Sequence, residues 1–245
     1  MIQVKVIVNT INKETLKEIY RYILNLEAYT HQQSRITILD PSYNKDYYTF
    51  EEKIKNILGS ISDLEVHNLY LQQYFSSDRE NNINEYTNNF INGQKIEVEK
   101  NDDGHRLFKS EGHTLVSIES DKNNKVNLVE FFNKGNKIPF RRALVNGHGN
   151  IQTIRTFDDK SGKAVYEEYV DANLVPFIKI WFNKKGQKES YQFIGWDEPV
   201  VNSEVDFNDC WIRKEIGVSD YVINLNRDFD VLFSTFVDVE RLFLV

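Results

Sequence analysis

Three copies of one short phrase recur at a fixed interval in the middle of this chain. They are Phe132-Asn133 in FFNKGNK, Phe157-Asp158 in TFDDKSGK and Phe182-Asn183 in WFNKKGQK, each 25 residues after the one before. Each phrase joins an aromatic strand end to a cluster of Asn or Asp, Lys and Gly, which is the composition of a hairpin turn. A second set, Val145-Asn146-Gly147-His148-Gly149 answered by Val170-Asp171-Ala172-Asn173, repeats at the same interval of 25 and marks turns at the opposite end of the same sheet. An incomplete earlier copy is Phe108-Lys109-Ser110-Glu111-Gly112, out of step by one residue. A two-stranded unit that repeats at constant spacing predicts an antiparallel β-meander.

The flanks of the repeat follow a different rule. Gln3 to Val8 is an apolar run that predicts a buried strand, and Lys13 to Tyr29 carries Leu16, Ile19, Tyr20, Ile23 and Leu26 at helical spacing behind a possible Asn12 cap. Arg35 to Leu39 predicts a second strand, Thr49-Phe50-Glu51-Glu52 a capping box that opens a helix to about Leu58, and Leu64 to Tyr70 a third strand. Strands alternating with helices imply parallel pairing, because parallel neighbours need a crossover. After Ile194 this pattern returns: a helix over Phe207 to Ile216, a strand over Asp220 to Leu225, a short helix over Val231 to Phe236 and a strand over Glu240 to Val245. The fold class expected is α/β, α+β overall, with a partial Rossmann-like sheet interrupted by an inserted antiparallel meander. The divisions expected are 1–75 for the first Rossmann-like part, 76–94 for a polar connection, 95–195 for the meander and 196–245 for the return to the sheet.

Composition narrows the function. The chain has 245 residues, a net charge of −7 and a pI near 5.4, which argues against a general nucleic-acid binder, since that affinity comes from neutralising phosphates. Its one cysteine, Cys210, excludes an intrachain disulfide, fits a reducing cytosol and reads as a small buried hydrophobe near Trp211. The N-terminal apolar run is too short for a membrane span. The expected location is cytoplasmic, with at most peripheral contact at the inner face of the membrane.

Motifs for chemistry are sparse. The five histidines, His31, His67, His105, His113 and His148, have no zinc-ligand spacing, so no metal is expected. Asn9-Thr10-Ile11-Asn12 stands where a glycine-rich phosphate turn would follow the first strand, and no cofactor is expected. There is no Gly-x-Ser-x-Gly elbow. Glu167 and Glu168 are adjacent on a strand and point to opposite faces, so they cannot share one substrate.

The meander offers a better surface. Phe140, Arg142 and Leu144 are expected on one strand face, with Arg141 on the other beside Ala143 and Val145, and Phe177, Lys179 and Trp181 together on a later strand. Basic and aromatic side chains on a broad sheet can grip a polymer through stacking, backbone pairing or charge. The candidate acceptor- or partner-binding residues are therefore Arg141, Arg142, Arg155, Lys179 and Trp181. In the plainer alternative Phe132, Phe157, Phe182 and Trp181 are core of the sheet.

The order of these features, from Leu128-Val129-Glu130-Phe131-Phe132 through the repeated turns to the helix and the strand Asp220-Tyr221-Val222-Ile223-Asn224-Leu225, resembles GT-B-type, family-four bacterial glycosyltransferases. In these a Rossmann-like N-terminal half is interrupted by an extended β-sheet meander, as in the O-GlcNAc transferases of serine-rich adhesins and in teichoic-acid glycosyltransferases. The resemblance covers about residues 95 to 245 well and the first 75 in pattern. In that family the strand resembling Leu242 to Val245 is followed by a histidine and then by a nucleotide-sugar domain, all of it beyond this chain. The resemblance thus implies an acceptor-binding or partner-docking role and carries over no catalytic residue. The implied partners are a glycan acceptor, either a Ser/Thr-rich protein or teichoic acid, and a homo- or hetero-oligomer with a related glycosyltransferase subunit.

Two readings follow from it. In one the chain is the N-terminal, acceptor-binding region of a transferase that uses a UDP-sugar, GlcNAc or glucose. In the other it is a non-catalytic co-activator or acceptor-binding subunit. A third reading, without the family, is an unrelated α+β protein that has acquired a meander by convergence.

Overall fold

The structure is a computed structural model that describes residues 1–8, 12–43, 54, 56, 58, 63–71, 83–101, 104–146, 149–217, 220–225 and 242–244. The chain opens with β1 (Ile2–Ile7), α1 (Lys13–Thr30), β2 (Ser34–Asp40) and β3 (Leu64–Asn68). Then come α2 (Ile83–Ile91) and nine strands: β4 (Glu97–Lys100), β5 (Arg106–Ser110), β6 (His113–Ser120), β7 (Val126–Phe131), β8 (Arg141–Val145), β9 (Ile151–Phe157), β10 (Ala164–Val170), β11 (Pro176–Phe182) and β12 (Lys188–Phe193). It closes with α3 (Glu204–Glu215), β13 (Tyr221–Asn224) and β14 (Leu242–Leu244). Two units result, Met1–Gln72 with Glu204–Val245, and Gln73–Ser203.

The first unit holds a parallel sheet in the order β14-β13-β1-β2-β3. Val4, Val6 and Ile7 of β1 and Ile36, Ile38 and Leu39 of β2 are all buried, while Gln3 is exposed and Lys5 and Arg35 are partly so. Helix α1 starts where the Asn12 Oδ1 accepts from the N–H groups of Glu14 and Thr15, at 2.9 and 3.0 Å, filling two of the donors a helix start leaves open. It ends at His31, which takes a left-handed φ of 55°. Between those caps Leu16, Ile19, Ile23 and Leu26 form the buried stripe, in one core with Val4, Val6, Ile36 and Ile38.

The helix expected from Thr49 falls mostly outside the described residues. Ile54, Asn56 and Leu58 are helical, and Ile54 and Leu58 are buried in the same core. The segments Asn9 to Ile11 and Val231 to Phe236 lie outside the described residues. Strand β3 stops at Asn68, two residues before the expected end. There the Asn68 Nδ2 donates to the carbonyls of Asp40 (3.1 Å) and Ser42 (2.7 Å), and its Oδ1 accepts from the Tyr70 N–H at 3.0 Å. Cys210 on α3 is half-buried, which corrects its reading as a buried hydrophobe.

The second unit is an antiparallel meander whose nine strands lie in chain order from β4 to β12. Its turns explain the period. At Asp121, Asn146 and Asp171, spaced by 25 residues, the first residue's N–H donates to the carbonyl four residues on (2.7, 2.9 and 3.0 Å), and the N–H three residues on returns to its own carbonyl (3.0 Å each). This is a three-residue loop closed by a residue in the left-handed region, namely Asn124, Gly149 and Leu174 at φ of 60°, 86° and 63°. The side chain of the first residue caps the loop, as where the Asp171 Oδ1 accepts from the N–H groups of Asn173 (2.9 Å) and Val175 (2.8 Å). The copy at Phe108 to Gly112 is a different device, a two-residue turn at Glu111-Gly112 with both φ positive.

The stretch 76–94, expected as a polar connection, contains helix α2. Its Asn-rich sequence is a weak helix former. The helix is held by Tyr86 and Phe90, which pack edge-on against Phe131 at centroid distances of 5.3 and 5.0 Å. Ile91 joins a core with Val116, Ile118, Val129, Phe131 and Ala143 on one face of the sheet.

Candidate functional site

Directly opposed residues on antiparallel strands share a face, so the register sorts the candidate residues. On one face Glu130, Arg142, Arg155 and Glu167 form a row across β7, β8, β9 and β10. The Arg142 Nε donates to the Glu130 Oε1 at 2.7 Å. The Arg155 Nε donates to the Glu167 Oε2 at 2.7 Å, with a second guanidinium nitrogen on the same oxygen. The Tyr169 hydroxyl donates to the other Glu167 oxygen at 3.0 Å. Glu167 is 3% exposed against 37% for Arg155 and 43% for Arg142, so the carboxylate is sunk in the sheet and the guanidinium groups reach outward.

Two adjacent cations on neighbouring strands would repel, and the flanking carboxylates offset that cost. Each arginine also lies over one of the repeated aromatics: Arg142 over the Phe157 ring at 4.9 Å and Arg155 over the Phe182 ring at 5.4 Å. Beyond Phe182 the sheet ends in an open cleft of about 390 Å³, lined among others by Asp158, Ser161, Lys163, Asn183 and Lys184. It sits between the second and third copies of the repeated phrase.

The opposite face carries the other candidates. Lys179 donates to Glu168 at 3.1 Å and lies 3.9 Å over the Tyr166 ring and 5.5 Å from the Trp181 ring. Tyr166 and Trp181 are themselves direct cross-strand partners. Arg141 is on this face too, near α2, with one terminal nitrogen 3.5 Å from the Tyr86 hydroxyl and its Nε buried without a partner among the described residues. The five candidate residues therefore form two groups, Arg142 with Arg155, and Arg141, Lys179 and Trp181 behind them.

Phe140 does not share a face with Arg142 as its spacing suggests. It precedes β8 and packs at 5.8 Å from Phe90 of α2, because the extended strand begins only at Arg141. Glu167 and Glu168 do point to opposite faces, each paired with its own cation. Phe132, Phe157, Phe182 and Trp181 are half-buried, whereas the sheet core beneath α2 is built from Val116, Ile118, Val129, Phe131 and Ala143.

Among the described residues no three His, Cys, Asp or Glu side chains gather as a metal site. His67 instead ties β3 to α3, its Nδ1 lying 2.8 Å from the Glu215 Oε2. At the C-terminal end of β2, burial pushes the Asp40 carboxyl above its ordinary pKa, partly offset by the hydrogen bonds from Ser42. No helix among the described residues is long and apolar enough to cross a membrane.

No protein-family model matches the chain, and no curated protein matches its sequence. Solved structures do match in fold. A point mutant of S. aureus TarM, in complex with Fondaparinux, alpha-GlcNAc-glycerol and UDP, aligns over 100% of this chain and 50% of that one, with a TM-score of 0.73 and 11% identity. The pneumococcal O-GlcNAc transferase GtfA, in complex with UDP and GlcNAc, aligns over 99% of this chain and 47% of its own, with a TM-score of 0.58 and 16% identity. The Glycosylation Associate Protein (Gap123) complex from Streptococcus agalactiae aligns over 98% of this chain and 50% of that chain, with a TM-score of 0.58 and 13% identity. The chain spans about half the length of the structures it matches. Its fold, a parallel α/β sheet with an inserted meander, is that of the N-terminal half of the GT-B glycosyltransferases TarM and GtfA.

Proposed function

We propose that this chain is the acceptor-binding and partner-docking region of a bacterial glycosyltransferase, one that moves GlcNAc or glucose from a UDP-sugar to a Ser/Thr-rich surface protein or to teichoic acid. The observation that carries this reading is the match of the entire chain, meander included, to half of a solved glycosyltransferase structure. On this reading the acceptor lies along the face that presents Arg142 and Arg155, where exposed guanidinium groups over aromatic rings supply hydrogen-bond donors and stacking surface. The face of Lys179, Trp181 and Arg141 serves a partner subunit.

A second reading, a non-catalytic co-activator or acceptor-binding subunit, is favoured by the likeness to the Gap123 complex, a glycosylation-associated assembly. Incubating the chain with UDP-GlcNAc, a Ser/Thr-rich peptide and the product of any neighbouring transferase gene tests the second. Turnover by the chain alone excludes the second. An effect seen only with the transferase present supports the second, and no complex together with no effect on turnover rules it out.

A further inference from the structure

We propose that the cleft between the second and third repeated turns is a binding subsite for one neutral hexose unit of a glycan. It rests on the acceptor reading and extends it, since Phe182 belongs to the arginine face as well while the rest of the cleft lies at the turn end of the sheet.

The cleft is built before any ligand arrives. The Lys163 Nζ donates to the Lys184 carbonyl at 2.8 Å, tying one turn to the other. Within the first turn the Asp158 Oδ1 accepts from both the N–H and the hydroxyl of Ser161, at 2.7 Å each. Within the second the Asn183 Oδ1 accepts from the N–H groups of Lys185 and Gln187, at 2.9 and 3.1 Å. Both turns also place glycines in the left-handed region, Gly162 at φ of 68° and Gly186 at 78°, so backbone conformation and these side-chain bonds together set their shapes. Preorganisation of this kind lowers the cost of binding a small ligand.

The lining suits a sugar. Phe182 lines the cleft, and the Arg155 guanidinium lies over its ring. An aromatic platform takes the C–H face of a pyranose, while carboxylate, hydroxyl, amide and ammonium groups match its hydroxyls. A volume of about 390 Å³ lies in the range of small-molecule clefts.

Hydrogen-bond complementarity distinguishes a neutral from an anionic ligand. The lining holds one carboxylate, Asp158, and two ammonium groups, Lys163 and Lys184. The hydrogen bonds from Ser161 hold the Asp158 carboxyl below its ordinary pKa, so it is ionised at neutral pH, and one of the two ammonium groups is already bonded to a carbonyl. A sugar hydroxyl can both donate to the Asp158 carboxylate and accept from a lysine ammonium, whereas an ionised phosphate or carboxylate has no proton to give Asp158, and this favours the neutral polyol.

The test is a titration of the full chain with methyl glucoside and methyl N-acetylglucosaminide, followed by backbone amide NMR shifts, with glycerol phosphate and glucuronate as charged controls. Expected are saturable shifts at Asp158 to Lys163 and Phe182 to Gln187, with a Kd of about 1–10 mM. Phe182→Leu should weaken binding about tenfold by removing the platform. Asp158→Asn, which keeps an acceptor for Ser161 and so the turn, should weaken it about threefold or more. No shifts at these turns up to about 50 mM, shifts centred elsewhere, variants that bind like the parent, or a charged control that binds tighter than the glycosides would each overturn the assignment. Because no donor, acceptor polymer, Ser/Thr-rich peptide or transferase enters the assay, its failure leaves the acceptor reading to its own test.

Discussion

Replacing Glu167 with Gln perturbs the charge row at its most buried member while conserving shape. The amide oxygen can still accept from Arg155 or Tyr169, so the loss is one negative charge, 3% exposed, opposite Arg155. What remains is Arg142 beside Arg155 with only Glu130 to offset the pair. With about 5 Å between opposed groups and an effective dielectric of 20 to 40, one opposite-charge neighbour is worth about 1.5 to 3 kcal/mol. The exposed end of Arg155 screens part of that, since fully exposed pairs contribute about 0 to 1 kcal/mol. The expected cost is about 2 kcal/mol, or a drop of about 6 to 10 °C in the midpoint of the meander's unfolding. A double-mutant cycle with Arg155→Gln, read by urea denaturation, should return a coupling of about 1.5 kcal/mol or more. Coupling below about 0.5 kcal/mol would refute the view that these carboxylates are what allows two arginines to stand side by side.

Other expected outcomes follow from single contacts. Gly186→Ala should cost about 1 to 2 kcal/mol through backbone strain alone, because its φ is +78° and nothing lies within 4 Å of an added Cβ; chemical denaturation that shows no change would mean the turn can relax. Asn12→Ala should cost about 1 kcal/mol by removing the acceptor for Glu14 and Thr15, seen as a lower thermal midpoint. For Asp40 the folded pKa is raised above the ordinary 3.8, so the native state binds more protons than the unfolded one between the two values, and stability falls as pH rises through that window. Asp40→Asn keeps an acceptor for Ser42 and should flatten this part of the stability-against-pH curve, with unfolding followed from pH 3 to 8; an unchanged curve would show that Asp40 is not its source.

The parallel sheet is legible in the sequence because its central strands are rich in Val, Ile and Leu and α1 has both a cap and a regular buried stripe. The meander is legible because its turns need Asn, Asp and Gly in fixed places. The third member of the lower turn set, at Asp121, is hidden because DKNNK, NGHGN and DANLV share only their first residue type. What repeats is a hydrogen-bond pattern and a left-handed fourth residue, which Asn, Gly and even Leu can occupy. Helix α2 is hidden for a related reason, since its stability comes from Phe131 in the sheet below and not from its own Asn-rich sequence. The pairing of Arg142 with Arg155 depends on register, and the register shifts between Leu144 and Val145 and again between Ala164 and Tyr166, so residue spacing alone does not deliver it.

Direct binding to the intact chain measures acceptor recognition most plainly. By biolayer interferometry against a Ser/Thr-rich peptide and against poly(glycerol phosphate), the account predicts saturable binding to one of the two. It also predicts at least a tenfold loss in Arg142→Gln, whose partner Glu130 is itself 21% exposed and tolerates the change without unfolding. Binding to neither acceptor, or binding that Arg142→Gln leaves intact in a folded protein, would contradict it.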